Sequence, residues 1–308
     1  MTPNLRSYAH GVALAVTAAV TVSVSTLAQG PPGTDIHLVA LTLRDSGVVV
    51  GTPVNITGRP GYDNQPSFTP DGRAVMFTSV RADAQSDIYR YDLQTRATAR
   101  ITSTPESEYS ATVMPGARRM SVIRVEADST QRLWSFQLDG TDPRVVLPDI
   151  KPVGYHAWAN DTTLALFVLG SPATLQVGNA RSGAARTLLG GIGRSIHRIP
   201  GSETISFVHK QSDSVWVIRR LDPARDSVVT LVQTLPRVED YAWTPDGSIL
   251  MAQGNRLFRW KALPGSTGAA TEWKEIAAFS EPAMQRLSRL AISPRGDWVA
   301  IVAAEPAR

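Results

Sequence analysis

Short apolar runs, rich in β-branched and aromatic residues, recur along this chain between clusters of Pro, Gly, Asp and Asn. The clearest are Ala74-Val75-Met76-Phe77-Thr78, Met120-Ser121-Val122-Ile123-Arg124, Thr163-Leu164-Ala165-Leu166-Phe167, Thr204-Ile205-Ser206-Phe207-Val208, Ile249-Leu250-Met251 and Trp298-Val299-Ala300-Ile301-Val302. A turn cluster precedes each run, and a shorter segment such as Gln65-Pro66-Ser67-Phe68 or Tyr241-Ala242-Trp243 precedes the turn. After most runs comes an alternating segment (residues 87–92, 132–136, 214–218, 256–260), then a closing one such as Ala99-Arg100-Ile101-Thr102. Period-two alternation bounded by turn formers predicts strands. Beyond residue 30 no segment keeps a 3.6-residue apolar period, so the pattern predicts an all-β chain.

The turns are repeats of one another. Phe68-Thr69-Pro70-Asp71-Gly72 and Trp243-Thr244-Pro245-Asp246-Gly247 are nearly identical, and Val113-Met114-Pro115-Gly116, Trp158-Ala159-Asn160-Asp161, Ile199-Pro200-Gly201 and Ile292-Ser293-Pro294-Arg295-Gly296-Asp297 are degenerate copies. From Pro70 the anchors fall at Pro115, Asn160, Pro200, Pro245 and Pro294, in steps of 45, 45, 40, 45 and 49. A period in this range with four strands per unit predicts a β-propeller. Only one strand follows the sixth turn, whereas residues 35–41 and 52–57 look like the third and fourth strands of a unit. Six blades follow, the last taking its inner strands from residues 286–303 and its outer strands from residues 35–57. Sealing the ring in this way leaves no blade face unpaired.

The segment Gln65-Pro66-Ser67-Phe68-Thr69-Pro70-Asp71-Gly72-Arg73, the strand ending Phe77-Thr78-Ser79, and Asp87-Ile88-Tyr89-Arg90-Tyr91-Asp92 resemble the WD40-like repeat of TolB-type β-propellers. The resemblance spans about residues 34–303 and is sharpest at 64–102 and 239–260. It has no counterpart to the α/β domain that TolB itself carries, so the likeness is to the propeller module. It implies a module that binds a partner's extended peptide across the mouth of the central channel. The same module also occurs as the non-catalytic part of some peptidases, and some propeller lyases that act on acidic sugars use histidine-held metal in a channel.

Composition narrows the setting. Residues 1–28 read as a signal peptide, with Arg6 ahead of an apolar stretch from Gly11 to Val24 and small residues at Thr26 and Ala28. The expectation is a periplasmic or secreted protein with no stable membrane insertion after cleavage. There is no cysteine, which removes disulfides, thiolate metal sites and thiol catalysis. The formal charge of +4 comes from 31 Lys and Arg residues scattered among 27 acids. Without a basic block, the charge gives no reason to expect nucleic acid.

Candidate chemistry is sparse. The chain has no Gly-x-Ser-x-Gly elbow, His-Glu-x-x-His helix or Asp-rich calcium loop, and no catalytic residue, metal or cofactor is assigned. Leu189-Gly190-Gly191-Ile192-Gly193 reads as an inter-blade loop. Arg295-Gly296-Asp297 falls on the sixth turn. His156 and His197 each stand two residues before an apolar anchor, Trp158 and Ile199, and are expected at equivalent positions on one strand face, inside the blade packing. The partner-binding candidates open the inner strands: Asp63, Asn64 and Gln65; Glu108 and Tyr109; Tyr155; Arg194; Glu239 and Asp240; Arg286 and Arg289. These form a polar ring of mixed sign, suited to a protein or peptide partner. A lyase or hydrolase acting in the channel, with or without metal, is the alternative.

Overall fold

The predicted strand runs assemble into six sheets in a computed structural model that describes residues 31–44, 47–81, 85–262 and 272–306. The expected signal peptide, residues 1–28, lies outside the described residues. The chain opens with β1 (Thr34–Arg44), β2 (Gly47–Val50) and β3 (Val54–Asn55). Blade 1 is β4 (Asp63–Phe68), β5 (Ala74–Val80), β6 (Ser86–Asp92) and β7 (Thr98–Arg100). Blade 2 is β8 (Ser107–Val113), β9 (Arg119–Val125), β10 (Gln131–Gln137) and β11 (Arg144–Val145). Blade 3 is β12 (Val153–Trp158), β13 (Thr163–Val168), β14 (Thr174–Asn179) and β15 (Ala185–Gly190). Blade 4 is β16 (Ile192–Arg198), β17 (Ile205–Lys210), β18 (Trp216–Asp222) and β19 (Ser227–Gln233). Blade 5 is β20 (Tyr241–Trp243), β21 (Ser248–Gln253), β22 (Arg256–Lys261) and β23 (Lys274–Ala278). β24 (Leu287–Ile292) and β25 (Trp298–Ala304) begin blade 6.

Blade 6 closes the ring as expected. β1 pairs antiparallel with β25 from Thr34↔Ala304 to Ala40↔Trp298. Its outermost strand is broken: β2 pairs with the far end of β1, and β3 with its middle. Among the described residues no helix is long and apolar enough to cross a membrane.

Six buried apolar clusters hold the ring, one at each boundary between blades. Successive strand residues point to opposite faces, and here both faces are covered. On β25, Val299 and Ile301 pack toward blade 5 while Ala300 and Val302 pack toward blade 1. On β1, Val39 and Leu41 take the first direction, Ile36 and Leu38 the second. The second strands therefore read as unbroken apolar runs rather than alternating ones.

The repeated turns are held the same way in each sharp copy. Asp71 Oδ1 accepts from Thr69 Oγ1 at 2.6 Å and from the Arg73 amide at 3.0 Å. Asp246 does the same for Thr244 at 2.5 Å and the Ser248 amide at 3.1 Å. Gly72 and Gly247 have φ of 69° and 76°, the left-handed conformation that closes the turn at no Cβ cost. In Arg295-Gly296-Asp297 the two charges face each other at 3.1 Å, a paired turn like the others.

The glycine-rich segment is not a loop. Leu189 and Gly190 end β15, Ile192 and Gly193 open β16, and Gly191 alone joins the blades, with φ of 73°. A single residue suffices because the last strand of blade 3 ends beside the start of the next inner strand.

Candidate functional site

The innermost strands β4, β8, β12, β16, β20 and β24 surround a central channel of about 600 Å³. At one end it is lined by Gln65, Ser110, Tyr155, Arg194, Asp240 and Arg289, where the inner strands begin. At the other it is lined by Phe68, Met114, Trp158, Trp243 and Ile292, and by turn residues including Pro70, Pro115 and Pro200. The channel is thus polar at one end and largely apolar at the other.

Five of the eleven rim candidates line this channel: Gln65, Tyr155, Arg194, Asp240 and Arg289. Asp63 and Glu108 sit below the surface, both 0% exposed. Asp63 faces Arg59 at 3.4 Å. Glu108 accepts from Thr104 at 2.5 Å and from Arg124 at 3.1 Å. Burial raises both carboxyls above their ordinary range, against the pull of these partners. Asn64 is buried and accepts from the Gln65 amide, Tyr109 packs at the boundary of blades 2 and 3, and Arg286 is exposed with Nη2 donating to the Glu305 carbonyl at 2.7 Å.

The remaining rim acids are engaged with cations across a blade boundary. Arg194 of blade 4 donates to Asp240 at 2.7 Å and stands 3.5 Å from Glu239, which also holds Lys210 at 3.0 Å. The Arg194 amide donates to Glu239 as well, at 3.1 Å. Arg289 is placed differently. Its Nη2 donates to the Tyr155 hydroxyl at 2.6 Å, and its guanidinium carbon is 5.0 Å from the centre of that ring. β24 and β12 belong to blades 6 and 3, which face each other in a six-membered ring, so this contact crosses the channel. Tyr155 is steadied by an edge contact with Phe167 at 5.8 Å. Burial pushes the neighbouring Tyr62 phenol up to about 12, while the charges of Arg289 and Arg194 pull it down.

The histidines correct the sequence reading. The Ala159 amide bonds the Thr163 carbonyl and the Ile199 amide bonds the Thr204 carbonyl, so Ile199 matches Ala159, not Trp158. His197 is accordingly one register step away from His156, and one step in a strand turns a side chain to the opposite face. His156 Nε2 points back to blade 2, 2.7 Å from Ser121 Oγ. His197 points forward to blade 5, stacked edge-on against Tyr241 at 4.6 Å, with Nε2 3.0 Å from Ser195 Oγ. Burial pushes both imidazoles down to about 4.

His156 has a structural counterpart that spacing alone did not single out. Ser121 Oγ also accepts the Trp158 indole N–H at 2.9 Å. In blades 4 and 5, Ser206 Oγ accepts the Tyr241 hydroxyl at 2.7 Å and the Trp243 indole at 2.8 Å. One serine on a second strand thus clasps two side chains of the next inner strand, twice round the ring. Among the described residues no three His, Asp or Glu side chains are grouped to hold a metal ion.

No family model matches this chain. Among solved structures, TolB from Agrobacterium tumefaciens aligns over 90% of this chain and 100% of its own, with a TM-score of 0.64 and 15% identity. The fold is that of a TolB-like six-bladed β-propeller. A chain of the nidogen/laminin complex aligns over 89% of this chain and 100% of its own, at TM-score 0.62 and 13% identity. An oligogalacturonate lyase in complex with manganese aligns over 91% and 81%, at TM-score 0.54 and 14% identity. Identities this low establish architecture, and this TolB-like architecture has both protein-complex and enzyme neighbours.

Proposed function

We propose that this protein is an exported, non-enzymatic propeller that binds a protein or peptide partner in its central channel. The observation that carries the reading is the channel itself: all six inner strands line it, and it joins an arginine–tyrosine cluster to a wall of Trp158, Trp243, Phe68 and Met114. Concave sites with an apolar wall and a few placed polar groups suit an extended ligand. The two histidines on the channel wall are engaged by serines and directed to opposite faces, which favours a structural duty over a shared metal. The nidogen/laminin neighbour supports a protein partner, and the leader-like residues 1–28 support export. A propeller enzyme is the competing reading, favoured by the manganese-bound lyase neighbour.

Affinity capture from the exported fraction tests the proposal, using the wild type, Ala291→Phe and Arg198→Asp inside the channel, and Asp213→Lys on an exposed turn. The expected outcome is a partner retained by the wild type and by Asp213→Lys, and lost or reduced by about tenfold in both channel variants. Thermal melts confirm that each variant is folded. Equal capture by all four would end the channel reading.

A further inference from the structure

Of the two arginines among the described residues that line the polar end of the channel, Arg194 is paired with carboxylates and Arg289 is not. Its neighbours are matched: Arg194 with Asp240 and Glu239, Lys210 with Glu239, Arg59 with Asp63 and Arg124 with Glu108. Arg289 has no carboxylate partner among the described residues. It reaches across the ring and rests on the hydroxyl of Tyr155. That hydroxyl accepts from Arg289, and among the described residues it meets no acceptor for its own hydrogen. Two unspent donors therefore face the same space, on a half-buried guanidinium and a half-buried phenol. A guanidinium with a phenol beside it matches the two oxygens of a carboxylate, and charge-assisted bonds of this kind are the strong ones. One surplus cation suits a single negative charge better than a doubly charged phosphate. Beyond the pair the wall turns apolar, through Trp158, Trp243 and Met114.

We propose that Arg289 and Tyr155 form a carboxylate-recognition subsite, occupied when an acidic group carried on an apolar body replaces Tyr155 as the acceptor for Arg289. This rests on the channel being the binding site and specifies its ligand: a peptide with Asp, Glu or its C-terminal carboxylate next to apolar residues. The resting Arg289–Tyr155 bond bars the channel, and the ligand's carboxylate draws Arg289 from it. Tyr155 then donates its hydroxyl hydrogen to the same anion.

Selection of a random-peptide display library on the immobilised protein tests this, with wild type, Arg289→Gln, Tyr155→Phe and, as control, Arg181→Gln on an exposed turn away from the channel. The wild type and Arg181→Gln should enrich acidic peptides with apolar neighbours. Arg289→Gln should lose the enrichment, and selected peptides should bind it roughly tenfold more weakly. Tyr155→Phe should weaken them several-fold without abolishing the bias. A pool with no acidic bias, or a bias that survives Arg289→Gln, overturns the subsite while leaving the peptide reading intact. An empty pool overturns the peptide reading, and a second arm then decides the subsite for a free small acid. In that arm phenylacetate and phenylacetamide are titrated against tryptophan fluorescence. Tighter binding of the acid, lost in Arg289→Gln, supports the subsite. Equal binding of acid and amide, or binding of neither, overturns it.

Discussion

Single side chains divide the labour between holding the blades and facing the channel. Ser206 belongs to the first group, because the Tyr241 hydroxyl and the Trp243 indole both end on it. Ser206→Ala strands two donors at a blade boundary, which should cost about 1–3 kcal/mol. Urea melts measure this, and a loss under roughly 0.5 kcal/mol would contradict the clasp, since that is the range of an ordinary surface change. His156 adds a pH signature. Its ordinary value is 6.5, and burial pushes it down to about 4 in the fold. The unfolded chain therefore takes up a proton as pH falls through 6.5, while the folded one holds off until about 4. Stability is fully present above 6.5 and drains as acid approaches 4, by about 2 kcal/mol at pH 5 for this group alone. Asp63 and Glu108, whose carboxyls are raised, act in the opposite direction and soften the net slope. His156→Gln removes the titration and keeps a polar tip toward Ser121. The gap in stability between wild type and variant should shrink by about 2 kcal/mol from pH 7 to pH 5, and an unchanged gap would place the imidazole in water.

At the scale of elements, the strand runs and turns were readable because each depends on residues close in sequence. Thr69, Asp71 and Gly72 lie within one turn, and their bonds stay within it. The register of blade 4 was not readable from spacing. Ile199 and Trp158 look alike as apolar anchors, yet Ile199 takes the place of Ala159, one residue past the anchor, and that offset puts His197 on the opposite face from His156. The same applies to Gly191, where a loop-like composition hides a one-residue joint between two strands. β1 carries the strongest element-scale prediction. Its Val39 is fully buried against blade 5, and its Leu38 is 5% exposed against blade 1. Val39→Asp buries an unpaired charge in the seal, and it should cost at least several kcal/mol, enough to abolish the folded state of a marginally stable domain. Val54→Asp, on the 56% exposed β3, should change stability by less than about 0.5 kcal/mol. A mild effect at Val39 would mean that β1 does not seal the ring.

The described residues between 31 and 306 close into a ring, and closure turns attention to its axis. Deleting residues 30–60 strips three strands from blade 6 and exposes the apolar clusters toward blades 5 and 1. The shortened chain should lose cooperative melting altogether. A transition within a few degrees of the intact protein would contradict the seal. Closure also explains why the candidate site was only half legible. The polar rim could be read from residues that open the inner strands. The pairing that empties it of free carboxylates joins residues about 45 apart, and the Arg289–Tyr155 contact joins residues 134 apart. No local pattern records either. The apolar end of the channel was visible only as anchors of the core, because Trp158 and Trp243 serve both the blade boundary and the wall.

Site-specific photo-cross-linking tests the axial binding of a partner most directly. A benzoylphenylalanine replaces Met114, on the channel wall, in one protein and Val229, 45% exposed on outer strand β19, in another. Exposed to the exported fraction and irradiated, the first should yield a covalent adduct of one defined mass and the second none. An adduct at position 229 with none at position 114 would move the partner to the outside of the ring and contradict the account.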